Sequence, residues 1–121
     1  MKVLEIAFTG YPVTDLPRAR QFYEGVLGLV PARVFGDEKA AWIEYDLGPG
    51  TLAICNMVPE WKPSPGGGCA GLEVEDFPAA VKRLEAAGVR FLNGPFETPV
   101  CHMGTVNDPD GNCLTIHKRK A

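Results

Sequence analysis

The sequence predicts an α+β domain built from two copies of one strand–helix–three-strand module. The first observation is an internal repeat, in which Val13-Thr14-Asp15-Leu16-Pro17-Arg18-Ala19 is echoed by Val74-Glu75-Asp76-Phe77-Pro78-Ala79-Ala80. The second is a matching glycine after each string, at Gly28 and Gly88. Because similarity at about half the chain length is the mark of a duplicated unit, the chain is predicted to repeat one module twice.

Each copy is predicted to contain a capped helix of about three turns. Asp15 and Asp76 are placed to accept a hydrogen bond from an orphan backbone N–H at a helix N-terminus. A proline follows two residues later in both copies, in the first turn, where a missing N–H costs nothing. Apolar residues then recur at helical spacing until Gly28 and Gly88, which are expected to end the helices in the left-handed conformation.

The segments that flank the helices have the apolar content and alternation of strands. The predicted strands are Val3–Thr9, Val30–Phe35, Ala40–Asp46 and Thr51–Asn56 in the first half, and Gly68–Glu75, Arg90–Leu92, Val100–Asn107 and Asn112–Lys118 in the second. Proline and glycine dominate the stretch between the halves, which is typical of a linker. We therefore predict a single domain over 1–121, with a first module at about 1–57, a linker at 58–67 and a second module at about 68–121.

Composition excludes several classes of partner. A net charge of -3 argues against nucleic acid, which requires clustered lysine and arginine. No apolar run approaches the ~20 residues of a membrane span, and the N-terminus lacks a signal-peptide pattern. The four cysteines form no Cys-x-x-Cys pair, so we expect reduced thiols in a cytoplasmic protein.

Three motifs accompany the tandem βαβββ pattern: the string from Val13 to Tyr23, Val26-Leu27-Gly28-Leu29, and the turn Asp108-Pro109-Asp110-Gly111-Asn112. With these motifs the chain resembles the vicinal-oxygen-chelate superfamily, which includes glyoxalase I, extradiol dioxygenases, and fosfomycin- and bleomycin-resistance proteins. The resemblance implies that the two modules form a curved mixed sheet around a central trough, with the helices outside. It also implies that enzymatic members hold a divalent metal in that trough with His and Glu side chains from four strands.

The family's four ligand positions fall here on residues that do not suit a divalent metal. Counting along the family pattern from the capping aspartates and from the Asp-Pro-Asp-Gly turn gives Phe8, Ala53, Cys69 and Thr115. Phenylalanine and alanine have no ligand atom, threonine is a poor ligand, and one cysteine does not make a site. We therefore expect no cofactor and no metal centre of the family type.

Strand alternation gives the residues that line the expected trough. The candidate ligand-binding residues are Phe8, Ala53, Cys69, Glu73, Met103, Thr105, Thr115 and His117. Cys69 and Cys113 are expected to lie near each other and to pack as small apolar side chains, and His102 is expected to point away. Trp42 and Glu44 are also assigned to the inner face. Trp61 is interpreted either as a lid on the trough or as a cap on the core.

Three functions remain open from the sequence. The missing ligands favour a metal-independent small-molecule-binding protein, and the bleomycin-resistance group implies a homodimer with clefts between chains. The alternative is a glyoxalase-like lyase or isomerase, or another enzyme with a non-standard site, for which Glu73 and His117 are the catalytic candidates. These two residues are also consistent with exposed strand-end side chains. The third is a structural or regulatory subunit whose trough is filled by its own side chains, such as Phe8 and Met103.

Overall fold

A computed structural model describes residues 1–120 of the chain. It divides into two compact units, of which the first is Met1–Pro63 and the second begins at Ser64. Each unit contains a four-stranded mixed sheet and one helical region. The predicted α+β class is therefore confirmed.

The first unit contains the first predicted helix and four strands. In chain order its elements are β1 (Thr9–Pro12), α1 (Leu16–Arg20), a π-helical segment (Gln21–Val26), β2 (Pro31–Gly36), β3 (Ala41–Leu47) and β4 (Gly50–Cys55). The strand order is β1-β4-β3-β2, with β1 parallel to β4 and the other pairs antiparallel.

The second unit repeats this topology. Its elements are β5 (Ala70–Glu73), α2 (Phe77–Ala86), β6 (Asn93–Glu97), β7 (Cys101–Asn107) and β8 (Cys113–Arg119). The strand order is β5-β8-β7-β6, again with a parallel first pair and antiparallel remaining pairs. The duplication seen in the sequence is therefore a duplication of strand topology as well.

The helix ends follow the predicted capping chemistry. The Asp15 carboxylate accepts a hydrogen bond from the Arg18 backbone N–H, and the Asp76 carboxylate accepts one from the Ala79 N–H, each at 3.0 Å. Gly28 and Gly88 follow the helical regions with φ of 75° and 77°, the left-handed conformation that glycine adopts without a Cβ clash.

The first helix departs from the prediction because it widens to π geometry after Arg20. The Leu27 N–H donates to the Phe22 carbonyl five residues earlier, at 2.9 Å. Phe22 and Tyr23, which are consecutive, are both buried. The wider turn thus accommodates two adjacent large rings in the core.

Two predicted strands are placed wrongly. The strand predicted at Val3–Thr9 is β1 at Thr9–Pro12, which pairs with Leu52–Cys55 of β4. Because β4 begins at Gly50, just after a turn, this register leaves residues before Ala7 without a partner on β4. The strand predicted at Arg90–Leu92 is β6 at Asn93–Glu97. Its Asn-Gly-Pro sequence is typical of a turn, but it forms an irregularity in the ladder between Asn93 and Phe96 instead.

The core of each unit lies on the helix side of its sheet. Tyr45, Ile43, Leu52 and Ile54 are almost fully buried in the first unit, as are Val106, Leu114 and Ile116 in the second. Side chains alternate between the two faces of a strand, so the intervening residues project to the opposite face. That opposite face, called the open face below, carries the candidate residues.

Candidate functional site

The register of the first sheet defines the residues of its open face. One row of neighbouring residues crosses the four strands in the order Gly10, Ala53, Glu44 and Arg33. In the next row, Cys55 lies beside Trp42, which pairs with Phe35. Trp42 and Glu44 therefore share the face of Ala53. Ala53 itself is fully buried, so it forms the floor of this face and offers no contact area.

Three rings on this face form a cluster, called here the aromatic platform: Phe8, Trp42 and Trp61. Phe8 meets Trp42 edge to face with the ring centroids 4.9 Å apart. Trp42 and Trp61 lie within 25° of parallel, with centroids 6.5 Å apart. Trp61 comes from the predicted linker and rests over Gly10, where a Cβ would lie 2.9 Å from the far edge of the indole. Phe8 and Trp61 remain 46% and 36% exposed, so the platform is open to solvent.

A charged cluster adjoins the platform. The Trp42 indole N–H donates to Glu44 Oε2 at 2.8 Å, and the Arg33 guanidinium binds Glu44 and Asp46 at 2.5 Å each. Hydrogen bonding to Arg33 holds the pKa of both carboxyls below their usual range. Because both are ionised and already paired, they orient Trp42 and Arg33 and are poor candidates for a general base.

The open face of the second sheet carries the remaining candidates. Gly71, Thr115 and Thr105 form one row, and Glu73, His117 and Met103 form the next. His102 lies on the other face of β7, where its ring stacks on buried Phe77 with centroids 5.6 Å apart. The alternation argument therefore places these side chains on the expected faces.

Two thiols and a hydroxyl meet at one end of this face. The Cys113 thiol donates to Cys69 Sγ at 3.3 Å, and Cys69 Sγ lies 3.3 Å from Thr115 Oγ1. Cys69 and Cys113 are thus neighbours as predicted, but Cys69 is exposed, so its expected role as a packed apolar side chain is wrong. Burial and the hydrogen bond to Cys69 raise the pKa of Cys113 to about 11.

The residues at the family's ligand positions do not fit a divalent metal. Cys69 and Thr115 lie together, but the first-unit positions hold the ring of Phe8 and the methyl group of Ala53, neither of which has a donor atom. Within residues 1–120, no group of three or more His, Cys, Asp or Glu side chains is arranged to hold a metal ion.

Glu73 and His117 form a hydrogen-bonded pair at the other end of the second open face. His117 Nδ1 lies 2.6 Å from Glu73 Oε1, and the Arg119 backbone N–H donates to Glu73 Oε2 at 2.7 Å. The Arg119 N–H, and then His117, hold the pKa of Glu73 below its ordinary value. Both Glu73 oxygens are engaged, so Glu73 orients the imidazole and leaves Nε2 as the free atom of the pair.

Sequence reasoning did not find three contributors to these sites. They are Arg33, Asp46 and the backbone N–H of Arg119. Arg33 had a usable signal, because it is two residues before Phe35 in a predicted strand and so shares its face. The Arg119 N–H has no side-chain signal at all.

A separate cavity of about 280 Å³ lies on the first unit away from the platform. Leu16, Arg20, Val34 and Ile43 are among its lining residues. Its volume falls just below the range of typical small-molecule pockets. The open faces are therefore the better candidates.

Comparison with known proteins places the fold in a family. The family model described as Glyoxalase/Bleomycin resistance protein/Dioxygenase superfamily matches residues 5–116. The chain belongs to this superfamily. A search of curated proteins finds no match. No helix among residues 1–120 is long and apolar enough to cross a membrane.

Several solved structures share the fold over almost the whole chain. TnmS3, an antibiotic binding protein from Streptomyces sp. CB03234, is 23% identical with a TM-score of 0.79, and the match covers 99% of both chains. A glyoxalase/bleomycin resistance protein from the same strain is 25% identical with a TM-score of 0.74, covering 93% of this chain and 98% of the other. A glyoxalase family protein from Enterococcus faecalis is 20% identical with a TM-score of 0.72, covering 93% and 96%.

Proposed function

We propose that this superfamily member binds a small, flat aromatic molecule on the aromatic platform, without a divalent metal. The observation that carries the proposal is the partly exposed cluster of Phe8, Trp42 and Trp61 on the sheet face opposite the helix. Aromatic side chains supply large contact area and favour stacking on other rings. Glu44 fixes the Trp42 indole by a hydrogen bond, so part of the platform is organised before a ligand arrives.

Metal independence is supported by residue chemistry. The ring of Phe8 occupies a position where the family pattern expects a ligand, and it packs edge-on against Trp42. The side chain that replaces the metal ligand is thus itself part of the aromatic platform. The antibiotic-binding activity named for TnmS3, a structural neighbour, is consistent with binding on this fold.

We also propose that the protein is a cytoplasmic homodimer. In the first unit, Val3, Leu4 and Ile6 are 77–82% exposed, and in the second unit Leu92 and Val100 are 61% and 72% exposed. Exposed apolar side chains of this kind are typical of a protein–protein interaction site. We assign a second copy of the chain as the partner because most oligomers of soluble proteins are homo-oligomers. The absence of a Cys-x-x-Cys pair from the sequence supports a reducing compartment.

Intrinsic tryptophan fluorescence tests the binding proposal directly, because the chain contains only two tryptophans and both are in the platform. We expect 9-aminoacridine or anthraquinone-2-sulfonate, used as planar probes, to quench this emission saturably in metal-free protein. Trp61→Ala is expected to weaken binding measured by calorimetry, whereas Phe96→Ala, which removes an exposed ring from the second unit, leaves it unchanged. Binding that requires an added divalent metal, or equal affinity in Trp61→Ala, contradicts the proposal.

A second candidate function is metal-free general base catalysis by His117. The observation that favours it is the 2.6 Å contact between His117 Nδ1 and Glu73 Oε1, which resembles the base–orienter pairs of hydrolytic and isomerising enzymes. In this arrangement Nε2 takes a proton from a substrate, and Glu73 stabilises the imidazolium that forms. The roles assigned from sequence are thereby refined, with Glu73 as a positioning residue.

Activity screening separates this function from binding alone. With a panel of α-ketoaldehyde hemithioacetals and activated esters, turnover in chelator-treated protein is expected to vanish in His117→Ala. Glu73→Gln should lower turnover and alter its pH profile, since the carboxamide no longer stabilises the imidazolium. Turnover that is absent in the wild type, or unchanged in His117→Ala, rejects the enzymatic function.

A further inference from the structure

The two accessible cysteines of the second unit are held side by side by strand pairing. Cys113 begins β8, and Cys69 immediately precedes β5, whose first residue Ala70 pairs with Leu114. Cys69 and Cys113 therefore each lie one residue before the first pair of the parallel β5–β8 ladder. Their sulfur atoms lie 3.3 Å apart. The backbone fixes this spacing, so the thiols are positioned as a pair.

These thiols also differ from the other cysteines in accessibility. Cys55 and Cys101 are buried, whereas Cys69 is exposed and Cys113 is partly exposed. Gly71, which lies beside Thr115 in the register, has open space around the position of an added Cβ. A small species from solution can thus reach both sulfur atoms.

We infer that Cys69 and Cys113 form a two-thiolate site for a soft monovalent metal ion, represented by Cu(I). The donor set contains two sulfur atoms and the Thr115 hydroxyl, with no third thiol, imidazole or carboxylate completing it among the described residues. Zn²⁺ ordinarily takes four ligands, whereas thiolate donors select soft ions such as Cu(I). The site therefore suits an ion of low coordination number.

Binding involves no change of oxidation state. Each thiol releases its proton to solvent and donates a sulfur lone pair to Cu(I), so two S–H bonds are exchanged for two S–Cu bonds. Because two protons are released, affinity is expected to rise with pH. The site lies in the second unit and shares no residue with the aromatic platform, so neither proposal depends on the other.

Competition with a chromogenic Cu(I) chelator under anaerobic, reducing conditions tests the site. Wild-type protein is expected to bind one Cu(I) per chain, confirmed by native mass spectrometry. Cys69→Ser and Cys113→Ser should each weaken Cu(I) binding by at least about 100-fold, since even outer-shell partners of a metal contribute 10–100-fold. Quenching by the planar probes should be unchanged in both variants.

Two controls separate thiol ligation from other effects. Cys101→Ser removes a buried thiol outside the site and should retain Cu(I) binding. Cys55→Ser, which removes the other buried thiol, is the second control if Cys101→Ser proves unstable in a thermal melt. The inference is overturned if wild-type protein loses the competition for Cu(I), or if Cys113→Ser binds it as tightly. It is also overturned if the isolated protein contains a Cys69–Cys113 disulfide, seen as a mass lower by two hydrogens and only two titratable thiols.

Discussion

Gly10→Ala is a small change that acts directly on the aromatic platform. An added Cβ at Gly10 lies 2.9 Å from the Trp61 ring edge and 3.4 Å from the Phe8 ring. Ordinary contact between carbon atoms is about 3.5–4.0 Å, so the Trp61 ring must move by roughly 0.6–1 Å. The contact is with the far end of a side chain, so the sheet itself is not strained.

The expected result is a loss of binding with little loss of stability. Displacing Trp61 removes its stacking contact with a bound probe, and an aromatic pair of this kind is worth about 0.5–1.5 kcal/mol, or roughly 2- to 12-fold in affinity. Alanine in a strand gains about 0.5–1 kcal/mol over glycine through backbone entropy, and this offsets the lost ring contact in the free energy of unfolding. Calorimetry with 9-aminoacridine and urea denaturation measure the two quantities separately.

The repeat supplies a matched control at Gly71, the equivalent of Gly10 in the second unit. An added Cβ there meets nothing within 4 Å, so Gly71→Ala should stabilise the fold by about 0.5–1 kcal/mol and leave probe binding unchanged. Near-ultraviolet circular dichroism, which reports on the Trp42–Trp61 pair, should change in Gly10→Ala alone. Equal probe affinity in the two variants would refute the assignment of Trp61 to the binding surface.

Three further predictions follow from other contacts. The Tyr45 hydroxyl donates to Glu24 at 2.9 Å from within the core, so Tyr45→Phe should lower the free energy of unfolding by about 1 kcal/mol in urea. Glu73 has a folded-state pKa below its unfolded value, so its contribution to stability is complete above the unfolded pKa and is lost as the pH falls through the folded-state pKa. Thermal melts of Glu73→Gln at a series of pH values should lack this part of the loss of stability in acid. Ile6→Asp places a charge in the exposed apolar N-terminal segment and should shift the protein toward monomer in sedimentation, whereas an unchanged sedimentation coefficient would contradict the dimer interface.

The fold was predictable because its signals are local and duplicated. Asp15 and Asp76 cap helices through contacts three residues away, and Gly28 and Gly88 end them by their own backbone conformation. Such features depend on a few consecutive residues, so a sequence pattern contains them. The first strand was misplaced because its limits depend on where its partner β4 begins, which is a property of a distant turn.

The sequence predicts which candidate residues share a sheet face, but it does not predict which of them contact one another. Alternation assigns Trp42 and Glu44 to the open face, but the position of Trp61 depends on the missing side chain of Gly10, about fifty residues earlier. The pairing of Glu73 likewise depends on a backbone N–H that any residue at 119 would provide. Contacts of this kind arise from tertiary placement and leave no pattern in the chain.

The two copies of the module differ in an informative way. On the last strand of each copy the residues facing the helices are unchanged, as Leu52 and Ile54 correspond to Leu114 and Ile116. On the strand before it they differ, as Ile43 and Tyr45 correspond to Gly104 and Val106. Trp42, on the open face, corresponds instead to Met103.

Packing against the helix restrains residues such as Leu52 and Ile54, whereas the partly exposed open-face positions can change without loss of the fold. At the family's ligand positions the first copy carries Phe8 and the second carries Cys69, so one copy has gained a stacking surface and the other a thiol pair. The chemistry of this protein should therefore be sought on the two open faces separately, with ring-stacking ligands tested against the first unit and soft ions against the second.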